Sequence, residues 1–271
     1  MARTASASFW HKYRARWLEK GSLVCVGLDP DLDKLPDCVK HSPNPIWEFN
    51  RSIIDATQEH ACCYKPNLAF YLADGLRGLE ALKKSIEYIP DAIPVILDCK
   101  VGDIGSTMQG YVNAFFDELR VDAITINPLM GSDVLEPLLK REIGFAFALA
   151  LTSNPSAADF FTGAGMDKAV SQWMQSFPSQ RLGAVVGATQ TADLARMRAL
   201  LPDRVFLIPG VGAQGGDLQA VLQHAIASKA NPDILINSSR GIIFASSKVD
   251  FAQAAATEAQ KLYLEIQSLL R

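Results

Sequence analysis

A lysine lies between two aspartates in the short segment DCKVGD at residues 98–103. The apolar residues before it, 93–97, are typical of a parallel strand that is buried on both faces. Side chains two residues apart on a strand share a face, so we expect Asp98 and Lys100 to point together, with Asp103 in the following turn. A buried strand would thus bring an ammonium group and carboxylates to its carboxyl end, where ligands bind in α/β folds.

The composition indicates an ordinary globular chain. It has 271 residues, of which 49% are hydrophobic, and this is enough for a large core. The 26 basic and 29 acidic residues give a net charge of -3, which argues against nucleic-acid and anionic-membrane partners but leaves room for a local anion pocket. No apolar run reaches the ~18 residues needed to span a bilayer. The five cysteines show no disulfide framework, so a reducing, cytoplasmic location is predicted.

Apolar, strand-like segments alternate with segments of helical periodicity along the chain. Eight such units without a linker or repeat predict an α/β fold, a (β/α)8 TIM barrel that forms a single domain over residues 1–271. A doubly wound sheet is less favoured because no Gly-x-Gly-x-x-Gly follows the first strand. The predicted strands are 23–29, 61–68, 93–100, 123–129, 144–152, 183–189, 205–211 and 234–240, and the clearest predicted helices are 46–59, 71–89, 106–120, 191–201 and 217–229.

The segment before the first strand, residues 1–20, carries aromatic residues at helical spacing, Phe9, Trp10, Tyr13 and Trp17. This spacing predicts an extra N-terminal helix packed under the core. An organelle transit peptide is the less favoured alternative, suggested by serines, arginines and a single acidic residue.

The polar residues that end the strands of a barrel converge on one mouth. Taken alone, each has a structural explanation: Asp29 before Pro30 could cap a turn, and Lys65 could be a solvated loop residue. Together they indicate a binding site, because barrel stability needs no ring of charge at this end. Seven residues lie at or just after predicted strand ends: Asp29, Lys65, Asp98, Lys100, Ser153, Gln214 and Arg240.

The seventh and eighth units have the pattern of a phosphate site. The segment IPGVGAQGGD at residues 208–217 places four glycines after a strand, so backbone amides can approach an anion closely. Arg240 follows the eighth strand and can bind phosphate bidentately at a helix start. Glycines also form ordinary tight turns, but the loops after strands seven and eight are the usual phosphate position in this fold.

Metal-dependent chemistry finds no support in the pattern of histidines and cysteines. The four histidines, His11, His41, His60 and His224, are all predicted away from the mouth, and no Cys/His ligand spacing occurs. Neither a metal site nor a cofactor is therefore predicted.

Five blocks of the sequence resemble the orotidine 5'-phosphate decarboxylase family, with spacing similar to its second, mainly bacterial, subgroup. The most specific block is Asp-x-Lys-x-x-Asp-Ile at residues 98–104, with Lys65 on the preceding strand. Cys99 stands where alanine is usual and Val101 where arginine is more often expected, but neither position carries the chemistry. The blocks are 64–67, 97–107, 151–155, 209–217 and 239–241.

The resemblance implies a cofactor-independent decarboxylation of orotidine 5'-monophosphate to UMP in de novo pyrimidine biosynthesis. Loss of the carboxylate leaves a carbanion at C6 that no carbonyl can delocalise, so preorganised charge is the main catalytic resource. The implied catalytic residues are Lys100 as proton donor, with Asp98, Asp103 and Lys65. The implied substrate-binding residues are Asp29, Ile104, Thr107, Ser153, Pro209, Gln214, Gly215, Ser239 and Arg240.

The resemblance also implies a homodimer in which Asp103, with Ile104 and Thr107, reaches into the neighbouring subunit's site. Residues 209–217 and 153–165 are the predicted lid segments. A nucleotide is the expected small-molecule partner, with no nucleic acid and no membrane. The family pattern leaves open a fusion to an orotate phosphoribosyltransferase.

Three alternatives stay open. A magnesium-dependent sugar-phosphate decarboxylase or aldolase shares the Asp-x-Lys-x-x-Asp strand but normally has an acid where Lys65 stands. A Schiff-base aldolase that uses Lys100 is less favoured, because flanking acids raise a lysine pKa and imine chemistry needs it lowered. A non-catalytic phosphate-binding barrel would retain the glycines and Arg240 but would not need all four charges.

Overall fold

Hydrophobic runs of four to seven residues form the strands of this chain, and mostly amphipathic segments between them form helices. A computed structural model describes residues 7–187, 191–210 and 217–271. The strands within these ranges are β1 (Val24–Leu28), β2 (Ala61–Pro66), β3 (Ile96–Val101), β4 (Ala123–Ile126), β5 (Phe145–Leu151), β6 (Leu182–Val186), β7 (Phe206–Pro209) and β8 (Ile234–Ser238). The helices are α1 (Phe9–Lys20), α2 (Asp37–Lys40), α3 (Pro45–Thr57), α4 (Leu68–Leu72), α5 (Gly75–Tyr88), α6 (Gly105–Val112), α7 (Glu136–Leu139), α8 (Met166–Met174), α9 (Thr191–Leu200), α10 (Leu218–Ala225), α11 (Arg240–Ile243) and α12 (Phe251–Leu270).

The eight strands are parallel and follow the order β2-β1-β8-β7-β6-β5-β4-β3. Two further bridges, Tyr64 with Val95 and Asn67 with Asp98, join the two ends of this sheet. The N–H of Tyr64 also donates to the carbonyl of Pro94 at 3.1 Å. The sheet therefore closes on itself, and the predicted TIM barrel is confirmed.

Helix α1 covers the amino end of the barrel. Its Phe9 ring is fully buried and lies 4.7 Å from the Phe145 ring at the start of β5, and such burial contributes roughly 1.5–3 kcal/mol. Lys12 pairs with Asp91 at 3.0 Å and with Asp122 at 2.9 Å, just before β4. The predicted N-terminal helix is thus present, and it leaves the carboxyl ends of the strands as the open face of the barrel.

Several predicted boundaries move for local reasons. The strand predicted from residue 93 begins at Ile96, because Pro94 has no N–H to contribute to a ladder. The helix predicted over 71–89 is divided between α4 and α5 at Gly75, whose φ of 61° lies in the left-handed region. The helix predicted over 106–120 is α6 followed by a π-helical turn, Asn113–Glu118. Among the described helices, none is long and apolar enough to cross a membrane.

Candidate active site

Strand β3 is irregular at the position of the predicted catalytic lysine. Leu97 pairs with Ile124 and Val101 with Ile126, so three residues of β3 stand opposite a single residue of β4. Lys100 has a φ of 48°, in the left-handed region. The prediction that Asp98 and Lys100 point together is confirmed, but a bulge brings them together and not simple strand alternation.

Three charged side chains, here called the charged triad, contact one another across β2 and β3. Lys100 Nζ lies 2.6 Å from Asp98 Oδ1, and Lys65 Nζ lies 3.0 Å from Asp98 Oδ2. Lys65 is only 4% exposed, whereas about half of the Lys100 side chain is exposed. Asp98 is thus held between a buried ammonium group and one that faces open space.

The pKa values of Lys65 and Asp98 are set by competition between burial and neighbouring charges. Burial acts to lower the pKa of Lys65, but the carboxylates of Asp29 and Asp98 outweigh it and raise that pKa above its ordinary value. Burial acts to raise the pKa of Asp98, but Lys65 and Lys100 hold it well below its ordinary range. Lys65 and Asp98 therefore stay charged at neutral pH, so the site keeps a fixed electrostatic field.

Asp29 follows β1 and completes the charged group on the side of Lys65. Its Oδ1 atom is buried and has no hydrogen-bond partner among the described residues. A buried carboxylate oxygen without a donor is costly, and a ligand hydroxyl can satisfy it. Asp29 is therefore well suited to accept a hydrogen bond from a bound molecule.

A cavity of about 330 Å³, here called the central cavity, lies beside the charged triad. Its volume is in the range of small-molecule sites. A β-carbon added at Gly187 would come within 2.7 Å of the Ser153 nitrogen, so this glycine lets the chain around Ser153 approach the end of β6. The walls combine the charges with polar and apolar side chains: Lys65, Asp98, Lys100, Thr125, Leu149, Thr152, Ser153, Asn154, Val185, Leu207 and Pro209.

A second cavity of about 170 Å³, the rim cavity, adjoins the first and shares Lys65, Asp98 and Pro209 with it. A β-carbon added at Gly27 would come within 1.8 Å of Ser239 Oγ, so only glycine there lets the loop after β8 pack on β1. Arg240 is exposed, and its guanidinium has no partner in the part of the chain that the structure describes. The rim cavity is lined by Asp29, Lys65, Asn67, Asp98, Pro209, Gly210, Asn237, Ser238, Ser239 and Arg240.

Three predicted site residues line neither cavity of their own chain: Asp103, Ile104 and Thr107. Asp103 Oδ1 accepts a hydrogen bond from the N–H of Ile104 at 2.8 Å, in the turn before α6. The side chain of Ile104 is 50% exposed, and Thr107 is also exposed. Within one subunit these residues are separate from the cavities.

Two predicted substrate-binding residues, Gln214 and Gly215, lie outside the described residues, as do residues 211–216 of the first predicted lid. The second predicted lid, 153–165, contains a 3-10 turn at Pro155–Asp159 and an exposed aromatic residue, Phe160. Both lid assignments stay predictions.

Sequence reasoning missed six polar residues that line these cavities: Asn67, Thr125, Thr152, Asn154, Asn237 and Ser238. Asn67 directly follows the Lys65-Pro66 pair at the end of β2, and Asn237 is in β8 next to the block 239–241. Their position at strand ends was the available signal. Thr125 is completely buried inside β4, and its hydroxyl contacts Asp98. A single hydroxyl in the otherwise apolar strand AITI was the only sign of it.

The donor set at the mouth favours anions over metal ions. Lys65 and Lys100 pair with Asp98, and Arg240 lines the rim cavity, so the mouth has three cationic groups and the two carboxylates of Asp29 and Asp98. Across residues 7–187, 191–210 and 217–271, no group of three or more His, Cys, Asp or Glu side chains is placed to hold a metal ion.

Fixed charges at the carboxyl mouth of a closed barrel, beside a ligand-sized cavity, define a TIM-barrel enzyme. Comparison with known proteins then gives the family. Residues 22–255 match the model of the orotidine 5'-phosphate decarboxylase / HUMPS family, and the chain belongs to that family. The family predicted from the sequence is therefore confirmed.

Individual relatives agree with this assignment. The orotidine 5'-phosphate decarboxylase of Flavobacterium johnsoniae is 43% identical over an alignment of 261 residues, and the match covers 93% of this chain and 95% of that protein. The structure of Leishmania donovani OMP decarboxylase has a TM-score of 0.81 at 33% identity and covers 97% of this chain and 99% of its own. Leishmania donovani UMP synthase matches with a TM-score of 0.82 at 34% identity, over 98% of this chain and 57% of the synthase.

Proposed function

We propose that this chain decarboxylates orotidine 5'-monophosphate to UMP in de novo pyrimidine biosynthesis, without a metal ion or organic cofactor. The observation that carries the proposal is the Asp98 carboxylate held between Lys65 and Lys100 at the central cavity, in a member of this family. The reaction needs fixed charge at one carbon atom, and this arrangement supplies it.

The reaction breaks the bond between C6 and the carboxylate, and the electron pair stays on C6. Lys100 stabilises this pair with its ammonium group and transfers a proton to C6, which yields UMP and carbon dioxide. Asp98, at 2.6 Å, holds the ammonium group in place. Because about half of the Lys100 side chain is exposed, it can recover its proton from solvent after each turnover. The charges are in place before reaction, so little reorganisation is needed in the transition state.

The substrate spans both cavities in this proposal. The pyrimidine occupies the central cavity, where Ser153 hydrogen-bonds its edge, and the ribose hydroxyls satisfy the free oxygen of Asp29 beside Lys65. The phosphate lies in the rim cavity, farthest from the reacting carbon, so its binding energy can stabilise a closed state. The proposed phosphate ligands are Gln214 and Arg240, and Pro209, Gly215 and Ser239 are further proposed substrate-binding residues.

The active assembly is proposed to be a homodimer in which Asp103, Ile104 and Thr107 complete the partner's site. Their separation from the cavities of their own chain supports this arrangement. Exposed apolar side chains on α6, on the residue before it and on the adjacent 3-10 turn Pro128–Val134 also support it, because apolar surface of this kind favours burial between copies. These side chains are Ile104, Tyr111, Leu129 and Met130.

A cytoplasmic location is proposed from the cysteine usage alone. Fusion to an orotate phosphoribosyltransferase stays a prediction of the family resemblance. The Leishmania donovani UMP synthase shows that a barrel of this kind also occurs as 57% of a longer chain.

The proposal is tested by incubating the purified protein with orotidine 5'-monophosphate and separating the products by chromatography. We expect stoichiometric UMP and carbon dioxide. No loss of the nucleotide, combined with magnesium-dependent turnover of a sugar phosphate, would favour the alternative decarboxylase or aldolase. That alternative is less favoured because those enzymes normally have an acid at the position of Lys65. In this chain the buried Lys65 instead places an ammonium group 3.0 Å from Asp98.

Removal of metal ions is expected to leave turnover unchanged. The proposed stabilisation of the carbanion comes from lysine side chains, so dialysis against EDTA removes nothing that the reaction uses. The initial rate of nucleotide loss is measured before and after dialysis, with a zinc hydrolase treated in parallel to show that chelation was complete. Abolished activity that magnesium restores would contradict the proposed mechanism.

Replacement of Arg240 by alanine is expected to lower kcat/KM for orotidine 5'-monophosphate by about 100-fold, the typical loss of charged hydrogen bonds to phosphate. Orotidine, which lacks the phosphate, should lose little, because Arg240 has nothing to bind on it. The ratio of the two losses is the measured quantity. Arg51→Ala is the matched control, since this exposed arginine on α3 pairs only with Glu48 of its own helix among the described residues. Equal losses on both substrates would remove Arg240 from the phosphate site.

A further inference from the structure

The bulge in β3 is held by one side chain of β4. The backbone N–H groups of Cys99 and Lys100 both donate to Thr125 Oγ1, at 3.0 and 2.9 Å. The same hydroxyl donates to Asp98 Oδ1 at 3.0 Å. Thr125 is completely buried within its strand and forms part of the wall of the central cavity. It therefore contacts the three consecutive residues that make up the bulge.

The hydrogen-bonding capacity of this hydroxyl is fully used. A threonine hydroxyl has two lone pairs and one proton. Because the two N–H groups occupy the lone pairs, the proton is directed to the carboxylate of Asp98. The carboxylate in turn accepts Lys100 on the same oxygen and Lys65 on the other. The hydroxyl thus determines both the backbone of Lys100 and the orientation of its counterion.

The backbone of Lys100 needs such support. Its φ of 48° is unfavourable for a residue with a β-carbon, and such conformations persist where surrounding contacts enforce them. An apolar side chain at position 125 would leave two N–H groups and one carboxylate oxygen without this partner. The bulge could then relax toward regular pairing, which would turn the lysine away from Asp98.

We propose that Thr125 is a positioning residue for the decarboxylation, in that its hydroxyl holds the β3 bulge in the shape that aims Lys100 and Asp98 at the reacting carbon. This inference rests on the proposed function, and it assigns to β4 a part in the reaction. Substrate binding depends chiefly on other side chains, so the effect of losing the hydroxyl should fall on kcat.

The test compares Thr125→Val, which keeps the branched shape without the hydroxyl, with Thr125→Ser, which keeps the hydroxyl. Thr125→Val is expected to lower kcat by about 100-fold or more, as displacement of a reacting group by about 1 Å does, with KM within about 3-fold of wild type. Thr125→Ser should stay within about 5-fold in kcat, because serine has the same hydrogen-bonding capacity.

Thr57→Val is the matched control for loss of a buried threonine hydroxyl. Thr57 is also completely buried, and its hydroxyl bonds Ile53 and Tyr64 on the side of α3. This variant should lose thermal stability but retain wild-type kcat. If Thr125→Val does not fold, Thr125→Cys replaces it, with an expected loss of about 10-fold because a thiol is a weak donor and acceptor.

A second readout is independent of activity. Amide hydrogen exchange of Cys99 and Lys100, followed by mass spectrometry of the peptide that contains them, should accelerate in Thr125→Val and stay unchanged in Thr125→Ser and Thr57→Val. Wild-type kcat in Thr125→Val, a Thr125→Ser loss as large as that of Thr125→Val, or unchanged exchange would overturn the inference. If the wild-type protein leaves orotidine 5'-monophosphate intact, the proposed function fails, and the exchange data still decide whether Thr125 orders the bulge.

Discussion

Replacement of Lys100 by alanine is expected to lower kcat for orotidine 5'-monophosphate by at least about 10⁴-fold, because one side chain supplies both the stabilising charge and the proton. The barrel should stay folded, since about half of this side chain is exposed and the buried contact between Lys65 and Asp98 is unaffected. Loss of nucleotide is measured spectroscopically, with thermal unfolding followed by circular dichroism. UMP should still bind, because the proposed ribose and phosphate ligands are intact.

Lys140→Ala is the matched control for this variant. Lys140 is an exposed lysine that pairs with Glu136 one helical turn away, so its removal should change neither kcat nor unfolding temperature measurably. Near wild-type decarboxylation by Lys100→Ala would exclude Lys100 as the acid. A loss accompanied by unfolding would instead show that the lysine is needed for the fold.

Mixed dimers are expected to recover activity when Lys100→Ala and Asp103→Asn subunits are unfolded and refolded together. Each parent should be nearly inactive, because every site in it lacks one of the two groups. In a mixed dimer, the site with an intact Lys100 receives its Asp103 from the Lys100→Ala subunit and is wild type in both residues. Random pairing makes half of the dimers mixed, so about a quarter of all sites should recover under two-fold symmetry.

The control for this experiment combines Lys100→Ala with Asp98→Asn. Asp98 and Lys100 contact each other within one subunit, so each site of this mixed dimer lacks one member of the pair and no activity should return. Native mass spectrometry establishes that mixed dimers have formed in both cases. Mixed dimers of the first pair that stay inactive would mean that each subunit builds its own site, and that Asp103 has no role across the interface.

The local sequence pattern was sufficient to predict the barrel and most of the charged residues at its mouth. The eight strand segments alternate with helical ones, and parallel strands bring their carboxyl ends to the same face, so Asp29, Lys65, Asp98 and Lys100 could be expected near one another. These are properties of neighbouring residues and of chain direction, which the order of amino acids contains. The family resemblance followed from the same short blocks.

The exact geometry at Lys100 depended on contacts between strands. Alternation along β3 predicted that Asp98 and Lys100 share a face, but they meet because β3 bulges opposite β4. The bulge is a shift in the pairing register of two strands, and its hydrogen bonds join residues that are 25 to 27 positions apart in the sequence. The residue pattern within either strand therefore does not predict it. The contact between Lys65 and Asp98 likewise requires the ends of the sheet to close between β2 and β3.

Burial also separated residues that the sequence treated alike. Lys65 and Lys100 are both lysines at strand ends, yet Lys65 is almost completely buried and Lys100 is half exposed. This difference agrees with the fixed charge proposed for Lys65 and the proton transfer proposed for Lys100. The sequence did not distinguish Thr125 from the other residues of its apolar strand, although its hydroxyl forms hydrogen bonds with three consecutive residues of β3. The solvent exposure of a side chain depends on how distant segments of the sequence pack together. The same packing decides which backbone groups lack a partner in the sheet, so only the tertiary structure could decide both features.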